Sequence, residues 1–222
     1  MEEIRSNFRY SYRWFAYFDL LGFKNKVLNH ELGHVLPLYE QVLVNIKNSV
    51  GNLEVKGISY SWFSDTFIVF SRGSTEEEFH VIEKIASDFF GKLIIQGIPV
   101  RGSLTYGELY SQKQKNIFLG KALIDAYEYG ERQQWLGFIL TPMVYDYFNK
   151  SNPYFWRKHI ENNYRDVSCE KSITHKACNN VYAFTFNDKR AEYLQSISIM
   201  KEKSGVTFHN KYDNTLSFVN GL

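Results

Sequence analysis

The stretch Phe15-Ala16-Tyr17-Phe18-Asp19-Leu20-Leu21-Gly22-Phe23 constrains this chain more than any other. Apolar and aromatic residues run straight into one carboxylate, and two leucines, a glycine and a phenylalanine follow it. The pattern predicts a buried strand over Trp14–Phe18 that delivers Asp19 to its carboxyl end. Gly22 then allows a tight turn, and a helix starts near Phe23. Backbone N–H groups converge on a phosphate where a strand feeds a helix N-terminus. A carboxylate at the same place can hold a hard cation that bridges phosphate oxygens. An Asp after an apolar run also serves as an N-cap or turn residue, so the metal reading needs a second carboxylate.

Val55 to Phe70 supplies one. Two β-rich runs flank Ser64-Asp65, which reads as a two-residue hairpin turn with Asp65 at the tip. If that hairpin lies beside the opening strand, Asp65 and Asp19 can share a metal. Two carboxylates brought close repel strongly without a cation between them, and Mg²⁺ ions on a triphosphate supply it.

The remaining elements follow in order. Residues 1–13 form an entry segment or a first turn of helix. A helical period runs from Pro37, with Pro37 at its first position. His30 and His34 stand four apart, a spacing that can ligate metal but also suits a solvated helix face. Ser74–Ile95 is the clearest helix, capped by Ser74 or Thr75 with acids in its first turn. Pro99–Tyr110 reads as a strand broken by Gly102 and Gly107, which suggest a bulge or a close backbone approach, with Arg101 at its start. Gly120 opens a helix over Lys121–Glu128, Phe138–Leu140 is a strand, and Thr141-Pro142 caps a helix through Phe148. From Ser151 on the chain is more polar, with strands at Val181–Phe186 and Thr207–His209 and a helix near Lys189–Met200. This divides the sequence into a core of residues 8–150 and an extension of residues 151–222 that completes the domain or forms a dimer arm.

Composition removes several classes of protein. The length of 222 residues suits one sizeable domain, and an aromatic fraction of 17% argues for a strand-rich, well-filled core. A net charge of +2 gives no sign of a nucleic-acid or membrane partner. Cys169 and Cys178 fit neither a redox pair nor a zinc knuckle. No apolar run approaches a membrane span, and the acidic start is unlike a signal peptide. The expectation is a soluble cytoplasmic protein.

The order of these parts resembles the catalytic domain of class III nucleotidyl cyclases: aromatic-x-Asp-Leu-Leu-Gly-Phe, a hairpin with Asp at its tip, Arg-Gly-x-x-x-x-Gly-Glu, then a Gly-led helix. The likeness covers roughly Phe15 to Leu140. It implies an α+β fold, a ferredoxin-like βαββαβ core with an antiparallel sheet, working as a homodimer. It also implies two Mg²⁺ or Mn²⁺ ions per active site, held by Asp19, Asp65 and the Leu20 carbonyl. Amides of Leu21, Gly22 and Phe23 would then cradle the phosphates of a nucleoside triphosphate.

Departures from the family sharpen the expectation. Where purine cyclases carry a base-reading Lys or Glu, this chain has Ser61, between Tyr60 and Trp62. The family's transition-state Asn and Arg align with Ile124 and Glu128. The branch with this look is the bacterial pyrimidine cyclases of the antiphage Pycsar system, which make cyclic UMP or cyclic CMP to trigger an effector. That resemblance implies UTP or CTP as substrate, with UTP favoured, and Tyr60 and Trp62 near the base, unless those rings face the core. Arg101 would supply the positive charge that Glu128 cannot, or would pair with Glu108. A purine cyclase and a catalytically silent module remain the alternatives.

Overall fold

A computed structural model describes residues 9–23, 27, 28, 33, 37, 40–45, 48, 57–170 and 179–221. The predicted strand is present and longer than its apolar stretch: β1 spans Ser11–Leu20. It extends backward because residues 11–13 pair with the far end of a partner strand, Ser11 opposite Leu109 and Arg13 opposite Gly107. Residues 11–13 are therefore strand and not a helical turn. Of the helix expected from Phe23 onward, Phe23, Pro37 and residues 40–45 are helical, and His30 and His34 lie outside the described residues.

β2 (Ile58–Phe63) and β3 (Thr66–Ser71) form the predicted hairpin, with Ser64 and Asp65 as its two-residue turn. Ser64 takes the left-handed conformation that such a turn requires, at φ 55°. α1 (Glu76–Ile95) begins with a complete capping box, in which the Thr75 side chain accepts from the Glu78 amide and Glu78 returns the bond to the Thr75 amide. β4 (Val100–Gln112) is continuous where the sequence suggested glycine breaks. Gly102 marks the close backbone approach expected as the alternative to a bulge: a Cβ there would stand 2.6 Å from the Phe18 ring and 2.8 Å from the Tyr17 carbonyl.

β5 (Ile117–Leu119), α2 (Lys121–Glu131), β6 (Phe138–Leu140) and α3 (Pro142–Ser151) follow. The polar remainder holds α4 (Pro153–Asn163), β7 (Tyr164–Asp166), β8 (Tyr182–Phe184), α5 (Arg190–Lys203) and α6 (His209–Asn220). The strand expected at Thr207–His209 is absent. Val206–Phe208 is a 3₁₀ turn and His209 opens a helix. Tyr212, Thr215 and Val219 recur at helical spacing and are buried, and that periodicity overrides the short β-favouring run.

The strands form one sheet in the order β2-β3-β1-β4-β6-β8-β7, with β5 paired to β4. All pairings are antiparallel except β4 with β6. This is the α+β architecture with a mainly antiparallel sheet that the sequence predicts. β7 and β8 continue the sheet beyond β6, and α5 packs on α1 and α6. The two faces of β1 go different ways, as alternation dictates. Trp14, Ala16, Phe18 and Leu20 enter the large aromatic core beneath α1, while Phe15 and Tyr17 join a smaller cluster under α2. Among the described residues no helix is long and apolar enough to cross a membrane.

Candidate active site

Asp19 is the next-to-last residue of β1, and its strand position decides its neighbours. It stands opposite Thr66 of β3 on one side and Arg101 of β4 on the other. Beyond it the Leu20 amide donates to the Asp65 carbonyl at 2.9 Å. That single bond ties the hairpin tip to the end of β1 and brings the two predicted carboxylates into one corner. The following amide, of Leu21, donates to the Pro99 carbonyl at 2.9 Å. Leu21 therefore cannot offer the phosphate contact expected of its amide, because closure of β1 against the start of β4 uses it. Gly22 turns the chain at φ 73°, and Phe23 begins the helix.

Tyr17, Asp19, Arg101, Ser103 and Thr105 share the α2 side of the sheet. Ser103 Oγ donates to the Ala126 carbonyl at 2.7 Å and Thr105 Oγ1 to Asp125 at 2.5 Å, which pins α2 across β4. Its last residue, Glu131, reaches the corner. Arg101 Nε donates to Asp19 Oδ2 at 2.8 Å, and one terminal nitrogen lies 2.8 Å from the same oxygen and 2.7 Å from Glu131 Oε2. The other terminal nitrogen donates to the carbonyls of Glu131 and Gln133, the latter at 3.0 Å. Tyr17 Oη donates to Glu131 Oε1 at 2.9 Å.

The guanidinium is thus turned inward, with every nitrogen engaged by the chain itself. Its expected alternative partner, Glu108, pairs with Lys121 at 3.4 Å instead. The reason is parity: residues seven apart on a strand point to opposite faces. In this geometry Arg101 holds Asp19 in place and does not project from the corner as a free cation.

Asp19 is 7% exposed, and burial pushes its carboxyl up to about 6. Arg101 opposes that shift, whereas the negative charges of Glu131 and Asp65 add to it. Burial likewise raises the Tyr17 hydroxyl, so it stays a donor. The corner holds more acid than its one buried arginine balances.

A divalent cation suits this donor set. Among the described residues no three His, Cys, Asp or Glu side chains converge into a closed metal cage. Mg²⁺ is commonly held by one or two carboxylates together with substrate phosphates, not by a dedicated cage. Asp19 and Asp65 match that pattern, and a cation between them would offset the surplus negative charge.

Tyr60 and Trp62 lie on one face of β2, their rings 5.9 Å and 5.5 Å from that of Phe67, which is buried in the main core. Both rings face the core side, as their alternative reading held, and Ser61 takes the other face of the strand. Ile124 is 60% exposed on α2, and Glu128 lies 4.0 Å from Arg132 on the same helix.

Glu131, Tyr17 and Gln133 escaped the sequence reading. Tyr17 had a signal, since it stands two residues before Asp19 and so shares its face. Glu131 had none, because it meets Arg101 only through the packing of α2 on β4.

With this geometry in hand, comparison with solved structures shows which fold this is. The chain superposes on a bacterial light-regulated adenylyl cyclase with a TM-score of 0.59 at 13% identity, covering 87% of this chain and 57% of that one. It matches the catalytic core of a rhodopsin-guanylyl cyclase with converted specificity, in complex with ATPαS, with a TM-score of 0.56 at 10% identity over 79% of this chain and 96% of that chain. The adenylyl cyclase CyaB from P. aeruginosa gives 0.53 at 10% identity over 82% and 97%. The fold is that of class III adenylyl and guanylyl cyclase catalytic domains. No protein-family model matches the sequence, and no curated protein matches it.

Proposed function

We propose that this chain is a nucleotide cyclase that converts a pyrimidine nucleoside triphosphate, UTP in preference to CTP, to its 3′,5′-cyclic nucleotide and diphosphate. The observation that carries the cyclase reading is the corner at the end of β1, where a 2.9 Å backbone bond sets Asp65 beside the buried Asp19 within a cyclase fold. The pyrimidine preference rests on the sequence alone, with Ser61 where purine cyclases carry a base-reading Lys or Glu. In the reaction the ribose 3′-oxygen bonds to the α-phosphorus. The bond from that phosphorus to the β-phosphate oxygen breaks, and diphosphate leaves while the hydroxyl proton passes to water. Two Mg²⁺ or Mn²⁺ ions, when bound, neutralise the triphosphate and lower the pKa of that hydroxyl.

The chain's own contribution is positioning. Asp19 and Asp65, with the Leu20 carbonyl, hold the cations. Arg101 fixes the Asp19 carboxylate and is itself braced by Glu131, which Tyr17 orients. Gly22 and Phe23 face the phosphates, and Ser61 stands on the open face of β2 towards the base. The exposed Tyr12, Ile124 and Tyr127 support a homodimer that completes the site. Residues 8–150 are the catalytic domain's core, which residues 151–222 complete, and the product is a second messenger for an antiphage effector of the Pycsar kind.

The test is mass-spectrometric identification of the product after incubation with all four NTPs and Mn²⁺ or Mg²⁺. A cyclic pyrimidine nucleotide is the expected result. Cyclic AMP or cyclic GMP formed faster would replace the pyrimidine reading with the purine one, which the adenylyl and guanylyl cyclase likenesses favour. Absence of product with every NTP under both metals would leave a silent cyclase fold.

A further inference from the structure

A cavity of about 410 Å³ opens beside the glycine turn that ends β1. One wall is Leu21, Gly22 and Pro99, and the opposite wall comes from the last two helices and their connection, through Lys203, Phe208 and Lys211. Sequence reading gave those helices no chemistry. Lys203, the last residue of α5, is exposed, while Lys211 in the first turn of α6 is half-buried.

Lys211 is placed unusually for a lysine. Among the described residues its ammonium makes no hydrogen bond and no ion pair within 4 Å. It nevertheless lies close enough to Arg101, Asp19 and Glu131 for their charges to act on it. Burial depresses its pKa, and Arg101 adds to that, against the pull of Asp19 and Glu131. A partly desolvated ammonium without a close anion is costly unless a ligand supplies the anion. The cavity therefore sets the glycine turn against two cations from a distant part of the chain, one of which feels the charges of the ionic corner.

We propose that α5 and α6 form the far wall of a polyphosphate site, in which Lys211 and Lys203 bind the outer phosphates of a nucleoside triphosphate. This inference rests on the proposed function for the identity of the ligand. Its recognition chemistry is simpler: an extended polyanion between a glycine turn and two ammonium groups. The C-terminal segment is then part of substrate binding.

The test is calorimetric titration of the full chain with inorganic tripolyphosphate in the presence of Mn²⁺, set beside NTP turnover. The wild type binds tripolyphosphate, and Lys211→Met weakens that binding by about tenfold or more, the scale of one charge-assisted hydrogen bond. Lys211→Arg restores part of it, and Lys203→Met, at an exposed position that folding does not depend on, weakens it by a smaller factor. In turnover, Lys211→Met raises KM for the NTP more than it lowers kcat.

Wild-type binding by both Met variants, or a wild-type chain that does not bind tripolyphosphate, overturns the inference. The two readings fail separately. Lysine-dependent tripolyphosphate binding without any cyclic product sinks the cyclase and keeps this site, whereas cyclic product with an unchanged KM in Lys211→Met does the reverse.

Discussion

Asp19 and Glu83 are both buried carboxylates, and their surroundings make them different kinds of residue. Glu83, in α1, accepts from the Tyr164 hydroxyl at 2.6 Å and from His159 Nε2 at 2.6 Å. Aromatic rings enclose this group: Phe79 and Phe155 both pack against the His159 imidazole. Its hydrogen bonds involve no second acid, so it is a satisfied link between α1, α4 and β7. Asp19 also has good donors, but Glu131 and Asp65 press on it as well. Satisfied hydrogen bonding alone does not separate a structural acid from a functional one. What separates them is a local excess of charge at an end of the sheet that a ligand can reach.

The largest effect should come from removing the arginine that serves only one of the two. Arg101→Met leaves Asp19 and Glu131 without their shared counter-charge. It should lower stability by about 3–5 kcal/mol and abolish turnover, read by denaturant unfolding and by initial rates. An Arg101→Met protein of wild-type stability would show that the corner is not electrostatically stressed.

Asp65→Ala should act on chemistry alone. Asp65 is half-buried at a hairpin tip and holds the sheet through its carbonyl, not its side chain. Turnover should fall about 10³-fold with little change in melting temperature. Glu83→Ala should do the opposite. It leaves the Tyr164 hydroxyl and His159 without their acceptor at a cost of about 2 kcal/mol, while turnover below the unfolding temperature stays within about twofold of wild type. If Glu83→Ala instead reduced turnover as much as Asp65→Ala, the distinction between the two acids would collapse.

The smallest effect is a pH dependence confined to Asp19. Its carboxyl is raised from 3.8 to about 6 in the folded protein. In cation-free protein its contribution is therefore fully present below about pH 4 and lost as the pH rises through about 6. The stability difference between wild type and Asp19→Asn should shift in that window and nowhere else. Added Mn²⁺ should stabilise the wild type increasingly from pH 5 to pH 7, because it competes with that proton.

How much of this was legible depended on whether a residue's meaning is local. The β1 stretch, the Ser64-Asp65 turn and the capping box of α1 are written in adjacent residues, and each appears where its local chemistry places it. The α4 helix had the same kind of mark, since the Asn152 side chain caps it at 3.2 Å and Pro153 opens it, but the polar composition around it hid the signal. Tyr60 and Trp62 turned on which face of β2 is covered, which pairing with β3 decides. Glu131 and Lys211 were out of reach of local reading, because each acquires its neighbours by the docking of a whole helix.

The corner also sets a condition on biosynthesis. Asp19 meets Arg101 across 82 residues of chain, and Arg101 meets Glu131 across a further 30. A nascent chain still short of residue 131 can expose Asp19 but cannot yet satisfy or neutralise it. Pairing of β1 with β4 is a slow, non-local step, so the half-made sheet carries an unbalanced acid until α2 has docked. The site is therefore assembled late and all at once, and fragments released early in translation should neither bind polyphosphate nor resist proteolysis.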